Sequence, residues 1–163
     1  MASIIEFVLG DFPIIMTVLA LLIGFLHTCK KNHVIKSDIY LGYLFFFALG
    51  LTGLWGFIYH AFFPEIAAKF IGWATSPFQF EVAMANLGVA VVGLFGLNAK
   101  KSYRIAGTLF TLCLFWGAAY GHIVQMLQTH NYAPGNAGAV FYNDLIMPLL
   151  LVIFLLCDRE KMA

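Results

Sequence analysis

Long apolar runs that are almost free of charged residues recur along the whole chain and set its predicted architecture. A transmembrane helix needs about 20 apolar residues, with roughly 17–25 tolerated. Five runs come near this length, and each is predicted to cross a bilayer: 12–27, 39–63, 77–98, 105–127 and 137–157. The expected fold class is therefore an all-α integral membrane protein with five transmembrane helices, forming a single transmembrane domain over 1–163.

The composition agrees with this prediction and narrows the function classes. Of 163 residues, 62% are hydrophobic and 10% are charged, whereas soluble domains carry about 25% charged residues. The formal net charge is only +1, so no broad basic field points to nucleic acid as a partner. The partner expected from composition is the lipid bilayer.

The charged residues outside the spans predict how the chain is oriented. Glu6 and Asp11 precede the first run where a cleaved signal peptide would be basic, so this run is interpreted as a retained helix. Eight of the nine Lys and Arg residues fall on one predicted side of the membrane: Lys30, Lys31, Lys36, Lys100, Lys101, Arg104, Arg159 and Lys161. The positive-inside rule then places the N-terminus outside and the C-terminus in the cytoplasm, in a bacterial inner membrane.

The loop between the second and third runs carries two local signals. Residues 64–73 are predicted to form a short amphipathic helix, which lies either on the membrane surface or in a re-entrant position. Ser76, Pro77 and Gln79 then match a capping box with a proline at the first helical position. The third helix is therefore expected to begin there.

Two hexapeptide-like motifs suggest an internal repeat. Trp55-Gly56-Phe57-Ile58-Tyr59-His60 in the second run corresponds to Trp116-Gly117-Ala118-Ala119-Tyr120-Gly121-His122 in the fourth, with one extra residue. The simplest interpretation is a duplicated helical hairpin, with copies over 39–98 and 105–157. Parallel repeats in membranes are related by an axis along the membrane normal, so we expect a four-helix core with the first helix packed outside it.

Four ionisable residues are predicted to lie at one depth near the outer boundary, on four different helices: His60, Glu81, His122 and Asp144. The spacing pairs His60 with Glu81 and His122 with Asp144 across the two hairpins. Small residues, which allow helices to approach closely, share their helical faces: Gly53, Gly56, Ala85, Gly88, Ala118, Thr108 and Thr111. The four side chains are therefore expected to face the inside of the bundle, where ionisable groups mark functional sites.

This His/carboxylate cluster admits several chemistries. Two imidazoles and two carboxylates suit a metal ion such as Zn, Cu or Fe. The same groups can also relay protons or line a solute path, or bind the head of a quinone among the aromatic residues. The alternative without a ligand is a pair of buried His–carboxylate hydrogen bonds that lock the hairpins together.

The three cysteines favour no disulfide. Cys29 and Cys157 fall at the predicted cytoplasmic edge, and Cys113 falls in the middle of the membrane. Disulfides form in oxidising compartments, and none of these positions lies in an outer loop. The three side chains are interpreted as small apolar fillers.

With its predicted four-helix core, the segment Ser76-Pro77-Phe78-Gln79-Phe80-Glu81 and the turn-rich stretch 131–138, the chain resembles small bacterial inner-membrane proteins of the DoxX-like group. The resemblance implies a link to quinone-coupled redox chemistry, and it implies no catalytic residue. The extra first helix departs from the simplest pattern of that group.

Three function classes follow from these observations. The first is a binding or redox-related membrane protein with its site at His60, Glu81, His122 and Asp144. The second is an ion, proton or solute channel or transporter, which at this length would work as a homo-oligomer. The third is a structural subunit of a larger membrane complex. The sequence contains no catalytic signature, so whether the protein is an enzyme stays open.

Overall fold

The computed structural model describes residues 10–30 and 36–158, and the described residues contain helices but no strand. Five helices are long and apolar enough to cross a membrane: Phe12–Lys30, Ser37–Phe62, Phe78–Phe95, Lys101–Thr129 and Pro134–Cys157. The predicted all-α membrane fold with five spans is therefore confirmed. Lys31, Arg159 and Lys161, which entered the orientation argument, lie outside the described residues.

The first two spans are numbered α1 and α2. Helix α1 covers Phe12–Lys30. Helix α2 is built from three consecutive segments, an α-helical segment Lys36–Tyr43, a π-helical segment Leu44–Leu51 and an α-helical segment Thr52–Phe62. A π-helical segment inside an α-helix is rare and is frequently found at functional sites.

The remaining helices are numbered α3 to α7 in chain order. They are α3 Pro64–Ile71, α4 Phe78–Phe95, α5 Lys101–Thr129, α6 Pro134–Ala137 and α7 Ala139–Cys157. The short helix predicted over 64–73 is thus present as α3, and the turn-rich stretch folds into the single turn α6, which leads directly into α7.

Two helices extend past their predicted ends. Helix α1 continues to Lys30, and α5 runs for 29 residues from Lys101 to Thr129. Backbone hydrogen bonding continues through polar residues at the ends of a span, because long side chains there reach the polar interface. Hydropathy therefore locates the apolar middle of each helix better than its ends.

Glycines join α2 and α4 at close range. A Cβ atom added at Gly53 would lie 2.6 Å from Ala90 N, and one added at Gly56 would lie 2.5 Å from Asn86 Oδ1. The prediction that Gly53 and Gly56 mark a close approach is therefore confirmed. For Gly88 it is wrong, because a Cβ atom there would meet nothing within 4 Å.

The apolar core is centred on α2, where α1, α4 and α7 pack against it. Helix α1 packs against α2 and α7, and Ala20 of α1 is fully buried in the core cluster. Large buried side chains complete this cluster: Leu41, Leu44, Phe45, Leu49, Val89, Met147 and Leu151. Helix α1 thus contributes to the core as well as covering it.

Helices α4 and α5 separate along most of their length. The hydroxyl of Tyr103 donates to Val92 O at 3.1 Å, and Gly107 lies beside Val92. Further along, a Cβ atom added at Gly88, Gly117 or Gly121 would meet nothing within 4 Å. The structure therefore leaves a gap between these two helices.

The two ends of the bundle differ in chemistry. We call the end that carries Lys30, Lys100, Lys101 and Arg104 the basic end, and the end that carries α3 and α6 the short-helix end. At the short-helix end, Asn131 Nδ2 donates to Ile71 O at 2.9 Å, which ties the loop after α5 to α3. Gly135 of α6 lies against Phe70 of α3, so the two short helices form a cap together.

Candidate functional site

A cavity of about 1320 Å³ lies between the helices and reaches the short-helix end. Its walls come from α2, α4, α5 and α7, with the start of α1 on one side and α3 and α6 over the end. All four ionisable residues singled out from the sequence line it: His60, Glu81, His122 and Asp144. The structure therefore brings the four predicted side chains to one cavity.

The cavity extends along the helices, with its ionisable groups toward the short-helix end. On α5 its wall extends from Cys113 to His122, and the nine steps between them correspond to about 14 Å along the helix axis. Apolar and aromatic side chains form most of the remaining wall, among them Trp55, Phe70, Trp73, Phe78, Val82, Ala85, Leu114 and Phe115. A long apolar space therefore ends in a small group of polar side chains.

His122 is held by the side chain of Asn136, which is fully buried. Asn136 Nδ2 donates to Asn131 O at 2.8 Å and to His122 O at 3.3 Å, so its Oδ1 is the acceptor that faces the imidazole. His122 Nδ1–H donates to this oxygen at 2.7 Å. The proton on Nδ1 is assigned from this network, and Nε2 is the ring nitrogen left for other contacts.

Asp144 faces that second nitrogen. The separation between His122 Nε2 and Asp144 Oδ2 is 3.8 Å, and both side chains are buried. Trp73 stacks on the imidazole and Phe141 meets it edge-on, each with a centroid distance of 6.3 Å. The predicted proximity of His122 and Asp144 is confirmed, in an apolar and aromatic setting.

His60 has a different partner from the one expected. Its Nδ1 forms a 2.5 Å hydrogen bond with Oε1 of Gln79, which is buried. The side chain of Glu81 is exposed, and within the described ranges His60 and Glu81 form no ion pair. The predicted His60–Glu81 pair is therefore wrong, because the amide of Gln79, two residues before the carboxylate, binds the imidazole instead.

The capping box predicted from Ser76 and Gln79 is also wrong. Helix α4 begins at Phe78 and has no side-chain hydrogen bond at its cap. Gln79 turns inward to His60, so it is unavailable to the helix end. The sequence around Ser76 and Gln79 matches a common capping motif, but the Gln79 side chain forms a tertiary contact with His60 instead.

Gln79 and Asn136 are the functional residues that sequence reasoning missed. Each is a carboxamide that binds the Nδ1 atom of one cavity histidine. The available signal was a parallel one, since each motif histidine is followed by such an amide, 19 residues after His60 and 14 residues after His122. This spacing could not be recognised as a signal, because Gln79 and Asn136 also fit local capping and turn patterns.

Residues 10–30 and 36–158 contain no preformed metal centre. This part of the chain contains no group of three or more His, Cys, Asp or Glu side chains that could hold a metal ion. The four-residue metal site stays a prediction, which elemental analysis of the purified protein would test.

The cavity opens sideways, through the gap between α4 and α5. Phe78 and Glu81 on α4, and Cys113, Gly117 and Ala118 on α5, line the cavity and are nevertheless exposed. Cys113, interpreted from the sequence as a small apolar filler, is part of this rim. The rim belongs to two membrane-length helices, so the opening lies on the side of the bundle rather than over its short-helix end.

The comparisons with known proteins place the chain in a family without an assigned role. A family model described as a family of unknown function, DUF6790, matches residues 10–163. The matched region includes α1 as well as the other four spans. Searches of curated proteins and of solved structures found no match. The expected likeness to an uncharacterised family is thereby confirmed, while the more specific DoxX likeness stays a prediction. The chain belongs to the family of unknown function DUF6790.

Proposed function

We propose that this protein binds a lipid-soluble amphipathic small molecule in the cavity between α4 and α5. The apolar body of the ligand lies along the helices, and its polar head lies beside His122 and Asp144. The observation that carries this proposal is the cavity itself, a mostly apolar space with buried polar side chains toward one end.

The size and lining of the cavity support this class of ligand. Small-molecule sites are mostly apolar clefts of roughly 300–1,000 Å³ with a few well-placed polar groups. The cavity here, at about 1320 Å³, exceeds that range. An elongated molecule with one polar end matches its shape and the position of its ionisable groups.

The opening supports a route of entry from the bilayer. It lies between two membrane-length helices, at the level of Gly117 and Glu81. A ligand dissolved in the lipid can therefore enter sideways without crossing the cap formed by α3 and α6. Such a ligand keeps its apolar body out of water throughout.

Two unsatisfied polar atoms in the wall support an additional partner. Thr52 Oγ1 and Trp55 Nε1 are buried and have no hydrogen-bond partner among the described residues, and both residues line the cavity. Buried polar groups are nearly always hydrogen-bonded. A small rearrangement of the wall around a bound molecule would give these atoms the partners that they lack.

The proposal predicts that a bulky residue at Gly117 removes the ligand. Gly117 lines the cavity, and an added side chain there meets no protein atom within 4 Å, so Gly117→Trp should fold and fill ligand space. Overlap of this kind costs about 1–3 kcal/mol, and we expect at least tenfold less ligand. Protein purified in mild detergent would be extracted and the lipid-soluble material measured by mass spectrometry.

The matched control lies one turn further along the same helix. Gly121 has equally open surroundings but does not line the cavity. Gly121→Trp should therefore keep the wild-type amount of ligand. Equal amounts of bound material in wild-type protein and both variants, or none above the detergent background in any of them, would refute the proposed function.

A further inference from the structure

We infer that the head group bound beside His122 and Asp144 is a neutral hydroxyl, belonging to a lipid-soluble alcohol or phenol. This inference rests on the proposed function and names the chemistry of its ligand. It follows from the hydrogen-bonding capacity that the two side chains present to the cavity.

One ring nitrogen of the His122 imidazole is already occupied by a hydrogen bond. Asn136 Oδ1 accepts the Nδ1–H of His122, and the two bonds donated by Asn136 Nδ2 fix that amide in place. Only Nε2 of His122 is therefore directed at Asp144 and available to a ligand.

The imidazole of His122 and the carboxyl group of Asp144 are separated by a gap that a ligand atom can bridge. His122 Nε2 and Asp144 Oδ2 are 3.8 Å apart, beyond the length of a direct hydrogen bond. Both residues line the cavity. An atom placed beside them can therefore bind both atoms at once, each at hydrogen-bonding distance.

The pair shares one proton in addition to the one on Nδ1 of His122. A net charge buried in apolar surroundings is costly, so the arrangement with this one shared proton, which is neutral overall, is the stable one. With the proton on the carboxyl group, Asp144 donates and Nε2 accepts. With the proton on the ring, Nε2 donates and Asp144 accepts. In both arrangements the pair presents one donor and one acceptor.

A hydroxyl is the head group that complements this arrangement. It donates one hydrogen bond and accepts another, so it satisfies both side chains wherever their proton lies. An ether or ketone oxygen only accepts, and it leaves one of the two buried groups without a partner. Leaving a buried group unpaired is the main source of such discrimination.

The charges around the cavity oppose an anionic head. Outside the neutral His122–Asp144 pair, the lining includes the carboxyl groups of Asp11 and Glu81, against one lysine, Lys69. A phosphate or fatty-acid carboxylate would add negative charge beside these groups. The favoured ligand therefore differs from the common anionic lipids of a bilayer.

The test uses three amphiphiles with the same alkyl chain. Para-dodecylphenol can donate and accept, its methyl ether para-dodecylanisole can only accept, and dodecyltrimethylammonium carries a positive charge. Each is added at equal membrane mole fraction to the full chain in vesicles. Occupancy is measured as protection of the Cys113 thiol, which lines the cavity, from N-ethylmaleimide. Cys29 and Cys157, which are exposed and outside the lining, are the internal references.

We expect the phenol to protect Cys113 at a concentration at least tenfold lower than its methyl ether, while labelling of Cys29 and Cys157 stays unchanged. In Asp144→Leu this ratio should fall severalfold. In Glu65→Leu, which removes an exposed carboxylate outside the cavity lining, the ratio should stay as in the wild type. Should Asp144→Leu not fold, the wild-type comparison and Glu65→Leu still decide the question.

The outcomes separate the two proposals. Equal protection by phenol and ether, stronger protection by the cation, or loss of the ratio in Glu65→Leu would overturn the hydroxyl inference while leaving a ligand cavity. Protection by none of the three probes, with the reference cysteines labelled normally, would overturn the proposed function itself.

Discussion

Replacing Gly93 with leucine is expected to prevent α2 and α4 from packing. A Cβ atom at Gly93 would overlap the backbone of Gly50 and the carbonyl oxygen of Phe45 on the facing helix. Backbone atoms cannot move aside as a flexible side chain can, so the whole interface must separate. We expect Gly93→Leu to lower the free energy of unfolding by about 4 kcal/mol or more, at the upper end of single substitutions.

The same substitution at Gly88 provides the control. Gly88 also lies on α4, but an added Cβ atom there meets nothing within 4 Å. Leucine favours a helix over glycine by somewhat less than 1 kcal/mol, so Gly88→Leu should leave stability unchanged or slightly higher. Unfolding in mixed micelles with a rising fraction of SDS measures both variants. If Gly93→Leu and Gly88→Leu lowered the free energy of unfolding equally, the close approach of α2 and α4 at Gly93 would not be what stabilises their packing.

Loss of Arg104 should have the second large effect, at the opposite end of the bundle. Arg104 is 3% exposed. Its guanidinium donates to Gly96 O at 3.0 Å, to Leu97 O at 2.8 Å and to Asp38 O at 3.2 Å, and it also binds the Asp38 carboxylate. One side chain thus joins the start of α5, the loop before it and the start of α2.

Arg104→Ala is expected to lower the free energy of unfolding by about 3 kcal/mol, because it leaves several buried or half-buried acceptors without a donor. Arg104→Lys should recover only part of this loss, since an ammonium group lacks the planar fork that reaches several acceptors. Lys100→Ala, at an exposed basic residue four positions earlier, is the control and should be nearly neutral. Similar losses in Arg104→Ala and Lys100→Ala would contradict the assigned role.

The fold was largely predictable because a bilayer imposes simple requirements on a chain. Each span must be apolar over about 20 residues and must satisfy its own backbone hydrogen bonds, which leaves helices as the natural solution. Arg104 shows the limit of this reasoning. Its charge was used as a sign of orientation, whereas its burial and its four acceptors depend on how two loops meet in space.

The site was predictable only in part, for a related reason. His122 and Asp144 are brought together by hairpin geometry, which spacing along the chain encodes. Gln79 and Asn136 also fit common local motifs, so their contacts with histidines could not be recognised without the tertiary structure. The gap beside Gly88 and Gly117 is likewise a property of packing, since small residues mark close approach elsewhere in the same bundle.

The opening between α4 and α5 puts the proposed site in exchange with ligand dissolved in the lipid. Because a lipid-soluble ligand stays almost entirely in the bilayer, its chemical potential is set by its mole fraction among the lipids. Adding lipid at constant amounts of protein and ligand then empties the site by two-dimensional dilution, whereas adding buffer leaves its occupancy nearly unchanged. An apparent dissociation constant for this protein is therefore meaningful per lipid molecule, and values expressed per litre would vary with every preparation.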